Sequence, residues 1–390
     1  MTTPLQLTDM NLHRFKAAYN PSVVPLGPFN VLIGRNGAGK STLLEALQWI
    51  DTAVRHTTNV ACDRYNGIHD LINHREPTDF PAFRLRTRLE SAGGGHALYS
   101  CEILDAGGEA QVAIETLSIG DRSQPKGTLV LDTIEFGTRV SNSARIKVLD
   151  RLALSRIEEF LPESIFGITG KDIAAFWENA VFLRLEPTDL ARGGPLKRAS
   201  ADPLLDEIGS SLTALIDSLD ADEREDLNEM LQSVLPDVRQ IAVLRSSDNR
   251  SGHYAVTEEF AASDPKRVDQ FIIPSWMLSE GTRRMTAIFA LLASRPGPSL
   301  LCIEEIENGL DPIAVRKVLN YLEAASRRGV QVILTTHSPW LLDHVPLEAV
   351  QLVRRVHGDT TYTRLQDDPA SQQSDPRVLP GGRYLDLLDR

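Results

Sequence analysis

The chain has only three cysteines in 390 residues, Cys62, Cys101 and Cys302, and they stand at no metal-ligand or redox spacing. An odd, sparse set of this kind excludes a disulfide framework and fits reduced thiols in a cytoplasmic setting. Long hydrophobic runs are also missing. The best apolar stretch, Met285 to Ala293, is about half of what a membrane span requires. The opening, Met1 to Met10, has no basic segment followed by an apolar one. Neither export nor membrane insertion is therefore expected. Positive charge is in deficit too: 41 Lys and Arg stand against 53 Asp and Glu. An acidic surface repels phosphate backbones, so contact with nucleic acid would need a local basic patch. The scattered His56, His69, His74, His96 and His253 show no paired ligand spacing, which argues against a structural metal. Core material is plentiful: 42% of the residues are hydrophobic, which removes disorder as the default state.

Along the chain, Leu5 to Ile33 reads as short strands broken at Asn20-Pro21 and Gly27-Pro28. Phe29, Val31 and Ile33 run into a glycine-rich loop, after which Leu43, Leu47, Ile50 and Val54 recur at helical spacing. Alternating segments at Phe83 to Leu89, Ala97 to Ile103, Ala110 to Ile114 and Thr128 to Phe136 predict an antiparallel sheet. Helical periodicity follows from Ala144 to about Met230, for example at Leu205, Ile208, Leu212 and Leu215. A hairpin is expected over Val238 to Val256. The α/β character then returns with a buried strand at Leu300 to Ile303, a helix at Pro312 to Ala325 and a second buried strand at Val330 to Thr335. A last hairpin is expected over Val350 to Leu365, followed by a stretch of loop composition.

Gly34-Arg35-Asn36-Gly37-Ala38-Gly39-Lys40-Ser41 matches G-x-x-x-x-G-K-[ST] between a strand and a helix. Glycines let backbone N–H groups converge on an anion, and the helix N-terminus adds its positive dipole end. Lys40 is placed to reach the β- and γ-phosphates, and the Ser41 hydroxyl to ligate Mg2+. At the C-terminal end of the buried strand Leu300 to Ile303 stand Glu304 and Glu305, where open α/β sheets bind ligands. One carboxylate can hold a metal, and the next can orient or deprotonate a water. Leu278-Ser279-Glu280-Gly281 opens a predicted helix, again an anion site. His337 follows directly on the last buried strand.

This series, in this order, resembles the ATP-binding-cassette (ABC) ATPases, specifically the RecF, structural-maintenance-of-chromosomes (SMC) and OLD-like branch of AAA family ATPases. Asn308-Gly309-Leu310-Asp311 is similar to the D-loop, Asn11 to Tyr19 to the opening strand, and Ala180 to Arg198 to a RecF segment where two lobes meet. The resemblance implies an α/β P-loop NTPase fold: a parallel core sheet, an antiparallel β-subdomain and a helical lobe forming one head over 1–390. Within it, 1–140 would form the first lobe, 141–290 a mainly helical second lobe with the signature, 291–345 the acidic strand, D-loop and histidine, and 346–390 a hairpin and tail.

The resemblance further implies ATP and Mg2+ as cofactors, bound by Asn36, Gly37, Ala38, Gly39, Lys40, Ser41 and Thr42, with Ser41 and Glu304 on the metal. A homodimer closed by ATP would bring Ser279 and Gly281 of the facing subunit to the γ-phosphate. Glu305 would polarise the attacking water, His337 would contact the γ-phosphate, and Asp311 would couple the two sites. Three departures stand out: Glu304 where the family has Asp, Ile306 where the OLD-like pattern has Pro, and no identifiable Q-loop glutamine, since Gln48, Gln111 and Gln124 are badly placed. Transport is disfavoured by the Thr-Arg-Arg after Gly281 and by the size of the antiparallel insertion. Long coiled-coil arms are excluded by the absence of sustained heptads. Only 53 residues follow His337, so the OLD-like reading expects its nuclease or toxic effector on a separate chain. The expected role is a regulatory ATPase in anti-phage or toxin-linked defence. The alternatives are a RecF-like repair ATPase and a nucleotide-gated clamp with little turnover. The candidate patch for DNA is Arg192, Lys197 and Arg198.

Overall fold

Strict in-out alternation over Ala82–Ser91 buries Phe83, Leu85, Thr87 and Leu89 while Arg84 and Arg86 face outward. That period of two makes the segment a strand with one solvated face. In the computed structural model, which describes residues 4–75, 78–134, 138–140, 145–146, 150–198, 202–261, 268–375 and 377–388, it belongs to an eight-stranded antiparallel sheet. The order is Ser22–Pro25, Leu5–His13, Ala82–Ser91, His96–Asp105, Ala110–Gly120, Thr128–Ile134, Thr138–Val140, Arg145–Ile146. The expected strand end at Phe136 and the expected helical start at Ala144 lie outside the described residues.

The chain divides into two units, Met1–Ala180 with Thr335–Arg390, and Val181–Leu334. In the first unit the sheet's inner face packs on the helix Lys40–Arg55. The Phe83 ring lies edge-on to Trp49 at 5.1 Å and to Phe15 at 5.2 Å, the aromatic geometry that ring quadrupoles favour. Trp49 also donates its indole N–H to the Cys62 sulfur. Burial pushes that thiol up to about 12, so it is an inert part of the core. Of the helical positions expected to face inward, Leu43, Leu47 and Ile50 are buried and Val54 is half-buried. The fully buried strand Phe29–Ile33 pairs in parallel with Val350–Val356, with Leu352 opposite Ile33. That strand turns back antiparallel as Asp359–Arg364. His357 and Gly358 both adopt positive φ in the two-residue turn between them, as a twisted hairpin requires.

In the second unit the acidic strand Leu300–Ile303 runs parallel to Gln331–Thr336, with Ile303 opposite Leu334. Its other neighbour is Ala180–Leu183, whose last carbonyl accepts from the Glu304 N–H at 2.9 Å. An antiparallel group of Val238–Arg245, Ser251–Ala261 and Val268–Pro274 accompanies it, with the helices Ala221–Val234, Glu280–Ala293 and Pro312–Arg327.

Two local expectations need correction. The helix expected to include Leu205 and Ile208 starts only at Leu212. Asp206 takes the N–H groups of Ser210 and Ser211, and Gly209 at φ +85 makes a turn instead. The C-terminal stretch of loop composition contains the helices Pro369–Gln372 and Pro380–Leu388. The first is started by the Asp368 carboxylate, which takes the N–H groups of Ala370 and Ser371.

Candidate functional site

The helix Lys40–Arg55 begins at Gly39, which sits at φ +104 and offers no side-chain cap. The first N–H groups of a helix have no partner within it. Here Gly39 offers no side chain to them, the Thr42 N–H donating to the Gly39 carbonyl at 3.2 Å, and the dipole favours an anion at this end. Gly37 also takes a positive φ, +73. At Gly34 a Cβ would lie 2.2 Å from the Val353 carbonyl, and at Gly39 one would lie 2.5 Å from the Thr360 hydroxyl. Space requires the glycine at 34, conformation the one at 37, and both the one at 39.

Lys40 is buried, and its ammonium folds back over the loop, donating to the carbonyls of Gly34 at 2.8 Å and Arg35 at 3.3 Å. His337 approaches the same ammonium, its Nδ1 3.4 Å from Nζ. Two residues 297 positions apart in sequence, both singled out above for a γ-phosphate, are thus brought together at one open helix end. Asn36 and Gly37 are exposed at the tip, Ala38 and Thr42 are buried, and Ser41 is half-buried. Among the described residues the Ser41 hydroxyl makes no hydrogen bond, so it is free to take a ligand.

The loop is braced from behind by side chains that the sequence did not mark. Tyr362 donates its hydroxyl to the Gly39 carbonyl at 2.8 Å. Thr360 lies within 3.0 Å of the Ala38 carbonyl and 3.2 Å of the Ala17 carbonyl. Its neighbour Asp359 takes the N–H groups of Tyr19, Asn20 and Thr360. Burial works against the Asp359 charge, yet those donors hold its carboxyl below the usual range. The available signal was strand alternation, which puts Thr360 and Tyr362 on one face of Asp359–Arg364. Nothing in the sequence said that this face meets the loop.

In the second unit, Glu304 and Glu305 are half-buried at the end of their strand. Glu305 adopts φ +48, a left-handed conformation that costs a non-glycine residue about 1–3 kcal/mol. Its carbonyl accepts from the Asn308 N–H at 3.0 Å and its carboxylate from the Asn308 side chain at 2.5 Å. A cavity of about 230 Å³ opens here, lined by Arg184, Glu186, Arg284, Glu304, Glu305 and Asn308. It is polar and has room for several waters.

Ser279 is exposed and caps the helix Glu280–Ala293, its hydroxyl accepting from the Thr282 N–H at 3.1 Å. Gly281 touches the D-loop: a Cβ there would lie 2.6 Å from the Gly309 carbonyl. Asp311 caps the next helix, taking the N–H groups of Ile313 and Ala314. The unit therefore brings the signature and the D-loop into backbone contact. Of the candidate DNA patch, Arg192 pairs with Asp189 at the surface, Lys197 is exposed, and Arg198 donates to the Pro203 carbonyl. No helix among the described residues is long and apolar enough to cross a membrane.

Comparison with known proteins bears on the family and the fold. A family model described as "AAA domain" matches residues 10–238. A second, described as "AAA domain, putative AbiEii toxin, Type IV TA system", matches residues 192–343. The chain is 24% identical over 393 residues to the OLD nuclease of Thermus scotoductus, covering 93% of this chain and 65% of that protein. It is 27% identical over 122 residues to the energy-coupling factor transporter ATP-binding protein EcfA of Methanococcus maripaludis, covering 30% of this chain and 42% of that one. The chain thus spans less than two thirds of the length of these relatives. Among solved structures, an SMC head bound to the C-terminal winged-helix domain of ScpA superimposes with a TM-score of 0.58 at 15% identity, covering 92% of this chain and 96% of that one. The chain belongs to the AAA domain family and has the α/β head fold of the OLD, SMC and RecF-like ABC-type ATPases.

Proposed function

We propose that the protein binds ATP with Mg2+, hydrolyses it to ADP and phosphate, and uses the nucleotide to close a homodimer that controls an effector. The observation that carries this is the uncapped start of Lys40–Arg55, where the Lys40 ammonium and the His337 imidazole converge. That combination suits a highly charged anion and little else.

In this reading the N–H groups from Asn36 to Thr42 cradle the phosphates, and Lys40 leaves the Gly34 and Arg35 carbonyls for the γ-phosphate. Ser41 and Glu304 supply hard oxygen donors of the kind that Mg2+ prefers, and Mg2+ bound there would neutralise phosphate charge. Glu305 orients a water for in-line attack on the γ-phosphorus. The new P–O bond forms as the bond to the β,γ-bridging oxygen breaks, the electron pair leaves on ADP, and the water's proton passes to the Glu305 carboxylate. His337 donates to the γ-phosphate, and Ser279 with Gly281 completes that site from the facing subunit. Asp311 couples the paired sites. Loss of the γ-phosphate removes the bridge and the dimer loosens, a switch by differential affinity.

The likeness to the OLD nuclease and to the AbiEii-type AAA domain supports a defence role with a nuclease or toxin as the controlled effector. Phosphate release by the purified protein tests the enzymatic part. Glu305→Gln is expected to slow turnover at least a hundredfold while ATP still binds and the dimer persists on a sizing column. Equal rates for the two proteins would remove Glu305 from the mechanism and favour a clamp with little turnover. Glu305→Gly should abolish turnover yet raise the unfolding free energy by about 1 kcal/mol, because it relieves the left-handed strain.

A further inference from the structure

We propose that Tyr362 and Thr360, on the C-terminal hairpin, are positioning residues for nucleotide binding: their hydroxyls set the direction of the two peptide planes that flank Gly39. This rests on the phosphate-loop reading above. In a trans-planar peptide the C=O of one residue and the N–H of the next point opposite ways. A donor that holds the Ala38 carbonyl therefore aims the Gly39 N–H, and one that holds the Gly39 carbonyl aims the Lys40 N–H.

Thr360 reaches the first carbonyl at 3.0 Å and Tyr362 the second at 2.8 Å. Gly39, at φ +104 and without a Cβ, has no side chain of its own to restrain its flanking planes. The plane between Gly37 and Ala38 needs no such brace, because the Ala38 N–H already donates to the Arg35 carbonyl at 3.1 Å. The Gly39 carbonyl also accepts from the Thr42 N–H at 3.2 Å, so Tyr362 adds a second donor to that plane, while Thr360 is the donor on the plane between Ala38 and Gly39.

Both donors are well placed to be rigid. Thr360 is fully buried and Tyr362 nearly so. They sit on one face of a strand whose partner, Val350–Val356, pairs directly with the strand leading into the loop. The Thr360 side chain fills the space a Cβ on Gly39 would need. Its single proton is also within reach of the Ala17 carbonyl, so the opening segment and the phosphate loop share one donor.

The test compares the affinity of a fluorescent ATP analogue, the steady-state rate and the apo melting temperature for Tyr362→Phe, Thr360→Val, Thr360→Ser and Lys40→Ala in the full chain. Tyr362→Phe and Thr360→Val are expected to weaken binding about threefold to tenfold each and to raise KM with little change in kcat. The melting temperature should stay near that of the parent, and Thr360→Ser should restore affinity. A lowered melting temperature with affinity unchanged in the folded fraction would assign the hydroxyls to folding and overturn the proposal. So would unchanged affinity in both variants while Lys40→Ala weakens binding. If Lys40→Ala also binds normally, the phosphate-loop reading itself has failed.

Discussion

The start of Lys40–Arg55 and the starts of Glu280–Ala293 and Pro312–Arg327 face the same physical problem and solve it differently. Each leaves several backbone N–H groups without a partner inside the helix. Ser279 and Asp311 answer from their own side chains. A fourth element, the short turn Ala153–Arg156, is answered from far away in sequence: the buried Glu115 carboxylate takes the N–H groups of Ala153 and Leu154. Of these four starts, that of Lys40–Arg55 is the one for which no capping side chain, its own or a distant one, is described, and it is braced from behind by Thr360 and Tyr362. A self-capped helix is stable alone, whereas an uncapped one is stabilised by whatever anion arrives. In the function proposed above, the open end takes the ligand of its own subunit. The Ser279 hydroxyl also lies 2.8 Å from the Thr282 hydroxyl; with Thr282 as the donor in that pair, Ser279 keeps its proton for a second contact without losing its cap.

The sharpest break of this comparison is Lys40→Ala set beside Ser279→Ala. Removing a charge-assisted contact to phosphate is expected to weaken ATP binding roughly tenfold to a hundredfold, from about 1.5–3 kcal/mol. Ser279→Ala should leave the affinity of a single protomer within about twofold, yet abolish the ATP-dependent dimer in sedimentation. Equal losses of protomer affinity in the two variants would mean that the capped and uncapped ends serve the same bound phosphate. The in-trans arrangement would then be gone.

The cap supplied from a distance carries a pH signature that the local caps lack. Burial raises the Glu115 carboxyl to about 7, against the N–H groups of Ala153 and Leu154 and the Tyr99 hydroxyl, which lower it. The folded state therefore keeps a proton that the unfolded chain, near its usual 4.5, has released. Between those two values the native state binds more protons, so stability falls as pH rises and levels off above about 7. The Glu115 contribution is on the order of 3 kcal/mol across that window. Asp51, raised to about 7 by burial against the opposing Arg55, adds a slope of the same sign. In urea titrations from pH 5 to pH 8, Glu115→Gln should remove part of the decline. An unaltered slope would show that the Glu115 carboxyl does not hold a proton in the fold.

Much of this was legible in the sequence because it depends on local chemistry. Gly34 to Ser41 reads as a phosphate loop since no other residue types let N–H groups converge there. Leu300 to Ile303 reads as a buried strand since four consecutive apolar residues end in two acids. The approach of His337 to Lys40 was reached only by resemblance, because spacing along the chain carries no information about two strand ends meeting. Thr360 and Tyr362 were invisible for the same reason: their partners are backbone carbonyls more than 300 residues away, and a carbonyl has no sequence identity. The helix expected to run through Leu205 and Ile208 fails for the opposite cause. Apolar period alone suggested continuation, while the Asp206–Gly209–Ser211 turn, readable as such, stops it.

The smallest effect separates the two local caps from each other. Asp311 offers an anionic carboxylate to two N–H groups at a positive dipole end, and Ser279 a neutral hydroxyl to one. Asp311→Ala is therefore expected to cost about 1–2 kcal/mol of unfolding free energy, and Ser279→Ala about 0.5–1 kcal/mol. Asp311→Asn should recover most of the loss, because the amide oxygen still accepts and only the charge is gone. Denaturant midpoints measured without nucleotide isolate this folding term from any role in a dimer. If Asp311→Ala unfolds at the same midpoint as the parent, the carboxylate is not held by its own helix. It would then be free, like the uncapped end of Lys40–Arg55, to answer to a partner.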